Sequence, residues 1–251
     1  MLSTFAIEKS AAVIVLTLVR KAAPLYGNPF ILTEQEIQQM NILHVCANPK
    51  PVEQSTSKQL AARFFGKLLE LSPDVELNNV DLYQDKPPYY SNDLFRRMWM
   101  PVDDPAYEPS RAEEAAANYT QKQTDELKKT DVLVLTMPMW NFSAPGVMKA
   151  WMDQILAPGF LFEITDEGNQ PLHNIKTLIL LVASGGIYKE GDRRDALSPQ
   201  IETAFGFIGI HDIRVAWADG QRTHEAAARR ELAFDAAEEL AEELAEEIAE
   251  G

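Results

Sequence analysis

The sequence predicts an α/β fold in which a parallel five-stranded sheet carries helices on both faces. Strand-like and helix-like segments alternate along the chain, which is the order typical of a doubly wound sheet. The segments DVLVLTM and KTLILLVA are almost continuously apolar, as expected for central strands that are buried on both faces. The five predicted strands span residues 41–46, 75–81, 131–137, 176–183 and 213–217.

Helical periodicity predicts five helices between and after these strands. Leu60, Phe64 and Leu68 fall on one face of the first helix. Pro145 suits the first position of another helix, because its missing N–H would be unpaired there. The segment 86–109 is rich in Pro, Tyr and Asp, and it is expected to be a long irregular loop that covers a site or meets a partner. The predicted helices span residues 57–71, 111–129, 145–156, 197–208 and 225–250.

Composition divides the chain into three parts. Residues 40–221 hold the alternating pattern and are expected to form the functional domain, with residues 1–39 as an extension outside it. The apolar run at 11–19 is shorter than the roughly 20 residues that a membrane-spanning helix needs, so no membrane span is expected. Residues 222–251 are rich in Ala and Glu, and we expect an acidic helix that packs on the domain or extends from it.

The net charge of −15 restricts the partners of this protein. Nucleic acids and anionic membrane surfaces repel a strongly negative chain, so neither is an expected partner. The single cysteine, Cys46, excludes an intrachain disulfide, and no group of Cys and His residues has the spacing of metal ligands. Neither a disulfide scaffold nor a bound metal is therefore expected.

The loop after the first strand has the features of a phosphate site. It joins a buried strand to a helix start, where unpaired N–H groups and the helix dipole favour an anion. Ser55, Thr56 and Ser57 add three hydroxyl donors there. A helix cap needs only one hydroxyl, so the run favours phosphate, although simple capping stays an alternative. The absence of G-x-G-x-x-G and P-loop motifs argues against a Rossmann site or an ATPase and favours the phosphate of flavin mononucleotide (FMN).

Two later loops also follow predicted strands and have features that suit a flat ligand. Met139, Trp140 and Phe142 offer soft and aromatic surface beside backbone N–H groups, as an isoalloxazine ring requires, although these aromatics could equally belong to the core. Gly185 and Gly186 let the backbone approach a planar ligand, although a tight turn would also use them. Parallel strands end at one edge of the sheet, so all three loops are expected to build one site.

Three sequence strings carry a resemblance to a known family: PMWNFSAPGVMKAWMDQI, SGGIYKEG and FGFIGIHDIRVAWADG. Between about residues 40 and 221 the chain resembles the FMN-dependent NADH:quinone oxidoreductases and NADH-azoreductases, which have a flavodoxin-like fold. The resemblance implies a homodimer with one FMN per subunit at the subunit interface. It implies the cofactor-binding residues Asn48, Ser55, Thr56, Ser57, Met139, Trp140, Asn141, Phe142, Ala183, Ser184, Gly185 and Gly186.

The chain departs from the family pattern at several of these positions. Asn48 stands where many relatives have Ser, Trp140 where Tyr is common, and Tyr188 where His is common. Ser184 replaces an Arg in the more frequent Ser-Arg-Gly-Gly string, which removes a fixed charge near the flavin. Candidate residues for the substrate pocket are Tyr188, Phe162 and Trp99.

The predicted function is transfer of two electrons from NADH or NADPH to quinones, with reductive cleavage of aromatic azo compounds, by a ping-pong mechanism. The flavin carries the chemistry, so no catalytic side chain is predicted. Lys149 and Asp153, four residues apart on a predicted helix, are interpreted as a structural pair. The expected location is the cytoplasm. Two alternatives remain open: a flavodoxin-like electron carrier without its own small-molecule substrate, and a flavin-free binding module.

Overall fold

A parallel five-stranded sheet forms the centre of the structure, a computed structural model that describes residues 40–189 and 191–250. The expected extension at residues 1–39 lies outside the described residues. All strands of the central sheet run parallel, and two further strands form a separate antiparallel hairpin. The strands are β1 (Asn41–Cys46), β2 (Glu76–Asp81), β3 (Val132–Pro138), β4 (Phe162–Thr165), β5 (Gly168–Pro171), β6 (Thr177–Ala183) and β7 (Asp212–Ala218).

The strand order in the sheet is β2-β1-β3-β6-β7, which confirms the predicted doubly wound α/β fold. The chain leaves β1 toward one edge of the sheet and later returns on the other side, so the order reverses between β1 and β3. Such a reversal opens a crevice at the carboxyl ends of the two strands, where ligands of this class of fold bind. The topology therefore places the functional cleft between the loops that follow β1 and β3.

Seven α-helices and a short 3₁₀ helix (Val52–Gln54) occur in the described part of the chain, and the α-helices cover both faces of the sheet. On one face, α1 and α7 pack against buried apolar side chains of β1, β3, β6 and β7, and Leu77 of β2 packs partly buried against the same core. On the other face, α4, α5 and α6 enclose a second core that contains the fully buried Trp151. The helices are α1 (Thr56–Leu71), α2 (Asn92–Asp103), α3 (Arg111–Ala116), α4 (Asn118–Leu127), α5 (Gly146–Ile155), α6 (Ser198–Phe207) and α7 (Ala226–Glu250).

The two central strands account for the continuous apolar runs in the sequence. Every residue of β3 and β6 is buried. Successive side chains point to opposite faces, so Leu133 and Leu135 join one core while Val132 and Val134 join the other. This burial on both faces holds the carboxyl ends of β3 and β6 in fixed positions, so the loops that follow them begin from fixed points.

The prediction of an irregular loop over residues 86–109 is wrong for half of that segment, because it contains α2. Ser91 caps this helix by accepting a hydrogen bond from the Leu94 N–H at 3.1 Å. Leu94 and Met98, one turn apart, are buried against Phe160. Pro101 lies near the end of α2 and masks the helical pattern in the sequence.

Two further details differ from the expectations. The single helix expected over residues 111–129 is broken at Ala117 into α3 and α4. A hairpin of β4 and β5, which the sequence pattern did not predict, precedes β6. It places Phe162 in the core with no exposed surface, where the ring packs edge-on against Phe207 at a centroid distance of 5.2 Å.

The acidic helix α7 packs on the domain, which agrees with the first of the two expected arrangements. Its buried side chains, among them Phe234 and Leu244, lie against α1 and the sheet. Two acidic residues of α7 pair with α1: Glu238 lies 3.0 Å from Arg63, and Glu242 lies 3.0 Å from Lys67. None of the helices within residues 40–250 that the structure describes is long and apolar enough to cross a membrane.

Candidate functional site

A cleft of about 690 Å³ opens at the carboxyl edge of the sheet, where the topology places it. This volume lies within the range of roughly 300–1,000 Å³ typical of small-molecule and cofactor sites. The loops after β1, β3 and β6 all contribute to it, together with a fourth loop after β7. The lining residues are Asn48, Lys50, Gln54, Ser55, Thr56, Ser57, Pro138, Met139, Trp140, Asn141, Ala183, Ser184, Gly185, Gln221 and Arg222.

The loop after β1 presents hydrogen-bond donors to the cleft. The buried amide of Asn48 donates to the hydroxyl oxygens of Ser55 at 2.6 Å and Ser57 at 3.0 Å. Ser55 also caps α1 by accepting from the Lys58 N–H at 3.2 Å. The Ser55 oxygen thus accepts two hydrogen bonds, so its remaining capacity is the donation of its own proton. Capping and ligand binding are therefore compatible at this serine.

The first turn of α1 adds backbone donors to these hydroxyls. The N–H groups of Thr56 and Ser57 have no acceptor among the residues that the structure describes. Such N–H groups, with the positive end of the helix dipole behind them, favour an anion. Lys50 is exposed on the same loop and supplies a positive charge. The loop after β1 is thus arranged to bind a phosphate-like group.

The loop after β3 is a tight turn with an unusual backbone. Trp140 and Ser143 exchange N–H···O bonds of 3.0 and 3.1 Å, and the two residues between them have positive φ angles, 50° for Asn141 and 71° for Phe142. Left-handed backbone at non-glycine residues costs of the order of 1–3 kcal/mol each and is concentrated at ligand sites. The turn is held in place by the Ala196 N–H, which donates to the Phe142 carbonyl at 3.0 Å.

The same turn exposes aromatic surface and backbone donors. Trp140 lines the cleft and is 38% exposed, and Phe142 is 54% exposed. Within residues 40–189 and 191–250, no acceptor meets the N–H groups of Asn141 and Phe142. A flat ring with hydrogen-bonding edges would contact both kinds of surface. These aromatics are not core residues, so the alternative of core burial is wrong.

The loop after β6 is joined to the loop after β7 by backbone hydrogen bonds. The Gln221 N–H donates to the Ser184 carbonyl, and the Arg222 N–H donates to the Gly185 carbonyl, both at 3.0 Å. The Ser184 hydroxyl donates to the Gly186 carbonyl at 3.0 Å and accepts from the Trp217 indole at 2.9 Å. The hydroxyl of Ser184 therefore fixes the loop.

The cleft has a positive lining in a strongly acidic protein. It contains the cations Lys50 and Arg222 and none of the Asp, Glu, His, Cys or Tyr side chains that the structure describes. It therefore suits an anionic ligand, and Lys50 is the one side chain in the described lining of a type that commonly acts as a general acid or base. The side chains with shifted pKa values that are closest in sequence to the first loop do not line the cleft. Burial raises the pKa of Cys46 and lowers that of His44. Both side chains border a separate cavity between α1 and β2.

The structure brings most of the sequence-predicted site residues together in this cleft. Phe142 and Gly186 lie next to lining residues without lining the cavity themselves. Tyr188 contacts Gly186 from outside, and its ring stacks on Trp217 at a centroid distance of 5.6 Å.

Two candidate substrate-pocket residues lie apart from the cleft. Phe162 belongs to the core, so it is not available to a substrate in the described chain. Trp99 lies on α2, where it is partly buried against the cluster that contains Phe160, and its indole N–H donates to the Tyr90 hydroxyl at 3.1 Å.

Sequence reasoning missed several lining residues, namely Lys50, Gln54, Pro138, Gln221 and Arg222. The last two follow β7, and the rule that ligands meet the carboxyl ends of strands would have pointed to them. Instead they were assigned to the domain end and to the acidic tail. Lys149 and Asp153 form the expected ion pair on α5 and do not line the cleft.

Comparison with known proteins agrees with this geometry. A family model described as flavodoxin-like fold matches residues 40–243. An FMN-dependent NADH:quinone oxidoreductase of Azotobacter vinelandii is 38% identical over 168 residues, which cover 67% of this chain and 82% of the relative. A protein of the same name from Brevibacillus brevis is 32% identical over 194 residues, which cover 76% of this chain and 92% of the relative.

Solved structures give the same assignment. An azoreductase from Bacillus anthracis superposes with a TM-score of 0.74 at 25% sequence identity, over 81% of this chain and 99% of that protein. Three observations point to the same family. They are this superposition, the strand order of this chain with a cleft between β1 and β3, and the sequence identity to the two oxidoreductases. The chain therefore belongs to the flavodoxin-like fold family, within the group that includes the FMN-dependent NADH:quinone oxidoreductases.

Proposed function

We propose that this protein is an FMN-dependent oxidoreductase that passes two electrons from NADH or NADPH to quinones and reductively cleaves aromatic azo compounds. The observation that carries the proposal is the cleft itself, which joins an anion-binding helix start to an exposed aromatic turn. FMN has this pair of features, a phosphate at one end and a flat ring at the other. The names of the relatives and of the structural neighbour agree with both reactions.

The phosphate end of FMN fits the loop after β1. Ser55 and Ser57 donate their hydroxyl protons, and the N–H groups of Thr56 and Ser57 add backbone donors. Asn48 acts through the two serines, because its amide already donates to both of them. Lys50 balances part of the phosphate charge. Every one of these groups donates or is positive, which matches a ligand that only accepts.

The ring end of FMN fits the turn after β3 and the backbone after β6. Met139 and Trp140 supply apolar contact, and the N–H groups of Asn141 and Phe142 supply donors for the ring edge. Gly185 leaves the backbone uncovered by a side chain of its own. Bound FMN supplies two-electron redox chemistry. The protein's part is to hold the ring, exclude water and place donors where negative charge develops.

A ping-pong order follows from the single cleft in this proposal. The nicotinamide donor and the flat acceptor would use the same exposed ring face, so one leaves before the other binds. We infer a homodimer as well, because Trp140 and Phe142 remain exposed at the mouth of the cleft and a second subunit would cover them. A cytoplasmic location is part of the proposal, since reduced nicotinamide nucleotides are intracellular.

The visible spectrum of the purified protein tests cofactor binding, with FMN added if the protein is colourless. We expect a flavin spectrum that stays with the protein during gel filtration, at the elution volume of a dimer. A protein that remains colourless in excess FMN would overturn the proposal. Light scattering on the same column gives the subunit number independently.

Steady-state kinetics test the reaction. NADH and NADPH are each paired with a benzoquinone and with an azo dye, at several fixed concentrations of the second substrate. We expect turnover of both acceptors and parallel double-reciprocal lines, which indicate a ping-pong order. Intersecting lines would contradict that order. Reduction of FMN without turnover of either acceptor would instead favour a flavodoxin-like electron carrier.

A further inference from the structure

Arg222 lies in the loop after β7 at a position that backbone hydrogen bonds fix. Three successive N–H groups of this loop donate to three carbonyls of the loop after β6. Gly220 donates to Gly186 at 2.8 Å, Gln221 to Ser184 at 3.0 Å, and Arg222 to Gly185 at 3.0 Å. This ladder attaches the Arg222 backbone directly to one wall of the cleft.

The side chain of Arg222 lies across the backbone of Gly185. A Cβ atom added to Gly185 would sit 3.1 Å from both Cγ and Cδ of Arg222. That separation is tighter than ordinary van der Waals contact, so the bare backbone of Gly185 is what accommodates the arginine stem. Arg222 lines the cleft at this point. The pairing of a glycine with an arginine from another loop places a cation at the β6 end of the cleft.

The guanidinium of Arg222 has no hydrogen-bond acceptor or ion-pair partner within the described residues. Two other arginines near it have partners. Arg229 pairs with Asp219 and Glu225, and Arg230 donates to the Gln221 side chain at 2.9 Å. Unlike Arg229 and Arg230, Arg222 lines the cleft, and its side chain has no partner in the described residues. Its hydrogen-bonding capacity is available to a ligand in the cleft.

The two cations of the cleft lie at different ends of it. Lys50 follows β1, whereas Arg222 follows β7 and is hydrogen-bonded to the loop after β6; β3 separates β1 from β6. Two strand spacings correspond to about 10 Å. Lys50 lies on the loop that is proposed to bind the phosphate, so Arg222 is placed to contact the opposite end of the ligand. If the ring end of FMN lies there, as proposed above, Arg222 faces the ring.

We propose that Arg222 holds the pyrimidine edge of the FMN ring and stabilises the negative charge that reduction places there. This inference rests on the proposed function. Bound FMN would gain one negative charge on accepting a hydride, which carries two electrons and one proton, and the nicotinamide donor would gain one positive charge, so the charges balance. That ring charge is shared by N1 and the C2 carbonyl. A guanidinium beside them binds reduced FMN more tightly than oxidised FMN.

The redox potential of bound FMN measures this difference directly. Hydrogen bonds to charged groups are stronger than neutral ones, and Arg222 is exposed, so its loss is expected to weaken the preference for reduced over oxidised FMN about tenfold. For a two-electron couple this corresponds to a potential about 30 mV more negative. Arg222→Gln is therefore expected to lower the midpoint potential, measured by equilibration with redox dyes, whereas Arg222→Lys retains the charge and most of the effect.

Arg111→Gln is the matched control, because it removes the same charge from an exposed site on α3, outside the cleft. Its midpoint potential should equal that of the wild type. Gly185→Ala gives an independent variant, since the new methyl group displaces the Arg222 stem, and it should shift the potential in the same direction as Arg222→Gln. Fluorescence titration of oxidised FMN accompanies each measurement and shows that the cofactor is bound.

Three outcomes overturn the inference in distinguishable ways. If the wild type binds no FMN, the proposed function fails together with it. If the wild type and both cleft variants bind FMN with the same midpoint potential, only the role of Arg222 fails. If Arg222→Gln leaves the potential unchanged and raises the KM for NADPH but not for NADH, the guanidinium binds the nucleotide phosphate instead.

Discussion

At the residue scale, hydrogen-bond capacity explains how a helix cap also serves a ligand. Asn48 has two amide protons, and both are used on serine oxygens of the loop after β1. Ser55 accepts from Asn48 and from the Lys58 N–H, so it can only donate further. The departure from the serine that is common at position 48 thus has a physical role, because the longer amide positions two hydroxyl groups at once.

Replacing Asn48 by alanine should weaken FMN binding about tenfold and lower the free energy of unfolding by about 1–2 kcal/mol, because two buried hydroxyls lose their donor. Fluorescence quenching of FMN and urea denaturation measure the two effects. Asn78→Ala on the exposed edge strand β2 is the control and should change neither. Normal FMN affinity in Asn48→Ala would mean that the phosphate lies elsewhere.

Trp140→Ala should raise the Kd for FMN about fivefold or more, because stacking on an aromatic side chain contributes about 1–3 kcal/mol per ring. Tyr89→Ala removes an aromatic ring that is 90% exposed, and it should have no effect. The titration used for Asn48 serves here as well. An unchanged Kd in Trp140→Ala would show that the ring does not lie on the turn after β3.

The sequence predicts the loops of the site better than the side chains within them. Ser55–Ser57, Met139 and Trp140 follow buried strands, and strand position is visible in the apolar pattern. Arg222 was missed because its contribution depends on hydrogen bonds between two loops that are distant in sequence. Phe162 was misplaced because a lone aromatic residue gives no signal that separates core from pocket.

At the scale of single elements, the capping box of α3 connects this helix to α2. The Glu113 carboxylate accepts from the Ser110 N–H at 2.7 Å, from Arg96 at 2.7 Å and from the Tyr107 hydroxyl at 2.8 Å. Such hydrogen bonds favour the charged carboxylate and hold the pKa of Glu113 down at about 2. Two short helices outside the main layers are therefore fixed by one buried acid.

This network predicts a pH dependence of stability. The folded-state pKa of Glu113 lies below the unfolded value, so its stabilisation is complete above about pH 4.5 and disappears as the pH falls toward about 2. Glu113→Gln should therefore be less stable than the wild type at neutral pH, and the gap should narrow in acid. Urea denaturation across this range measures it, with the exposed Glu108→Gln as control. A gap that does not change with pH would contradict the prediction.

The acidic helix α7 is a structural part of the domain rather than a solvated tail. Leu244 is fully buried between α7 and the sheet, whereas Leu232 on the same helix is 68% exposed. Leu244→Ala should cost about 2–4 kcal/mol of unfolding free energy, and Leu232→Ala no more than about 0.5 kcal/mol. Thermal or chemical denaturation distinguishes them, and equal stability of the two variants would contradict this packing.

Secondary structure was predictable where the apolar period was long and unbroken. The helices α1, α5, α6 and α7 and all five sheet strands lie close to their predicted bounds. The helix α2 was hidden by Pro101 and by the prolines around it, since proline weighs against helix in any local reading. The β4–β5 hairpin has only four residues per strand, and most of its side chains other than Phe162 are exposed, so it lacks an apolar pattern.

At the scale of the whole molecule, the described residues 40–189 and 191–250 supply two continuous cores and a lined cleft. The lining of the cleft begins at Asn48 and ends at Arg222. A variant that begins at residue 40 should therefore keep its fold and its affinity for FMN. A variant that ends at residue 221 should lose both its fold and its affinity for FMN, because it lacks α7 and exposes the apolar side chains of α1 and the sheet that α7 buries. Circular dichroism and FMN titration check the two variants, and loss of FMN binding in the first would contradict the expected domain boundary.

The order of strands in the sheet cannot be read from the alternation of strands and helices alone. Alternation predicts a parallel sheet, and several strand orders satisfy it. The resemblance implied the flavodoxin-like order, and the pairing of β1 with both β2 and β3 agrees with it. Because that pairing decides where the chain reverses, the location of the cleft depended on it.

The described lining of the cleft contains no Asp, Glu, His, Cys or Tyr, and this bears on how selective such an enzyme can be. Under the proposed function, Lys50 lies beside the phosphate, away from the ring, so the protons that a reduced acceptor takes up come from water. The enzyme then selects acceptors by their planarity and their reduction potential, because the cleft imposes no precise geometry for protonation. The proposed enzyme is therefore expected to have a broad specificity for planar electron acceptors.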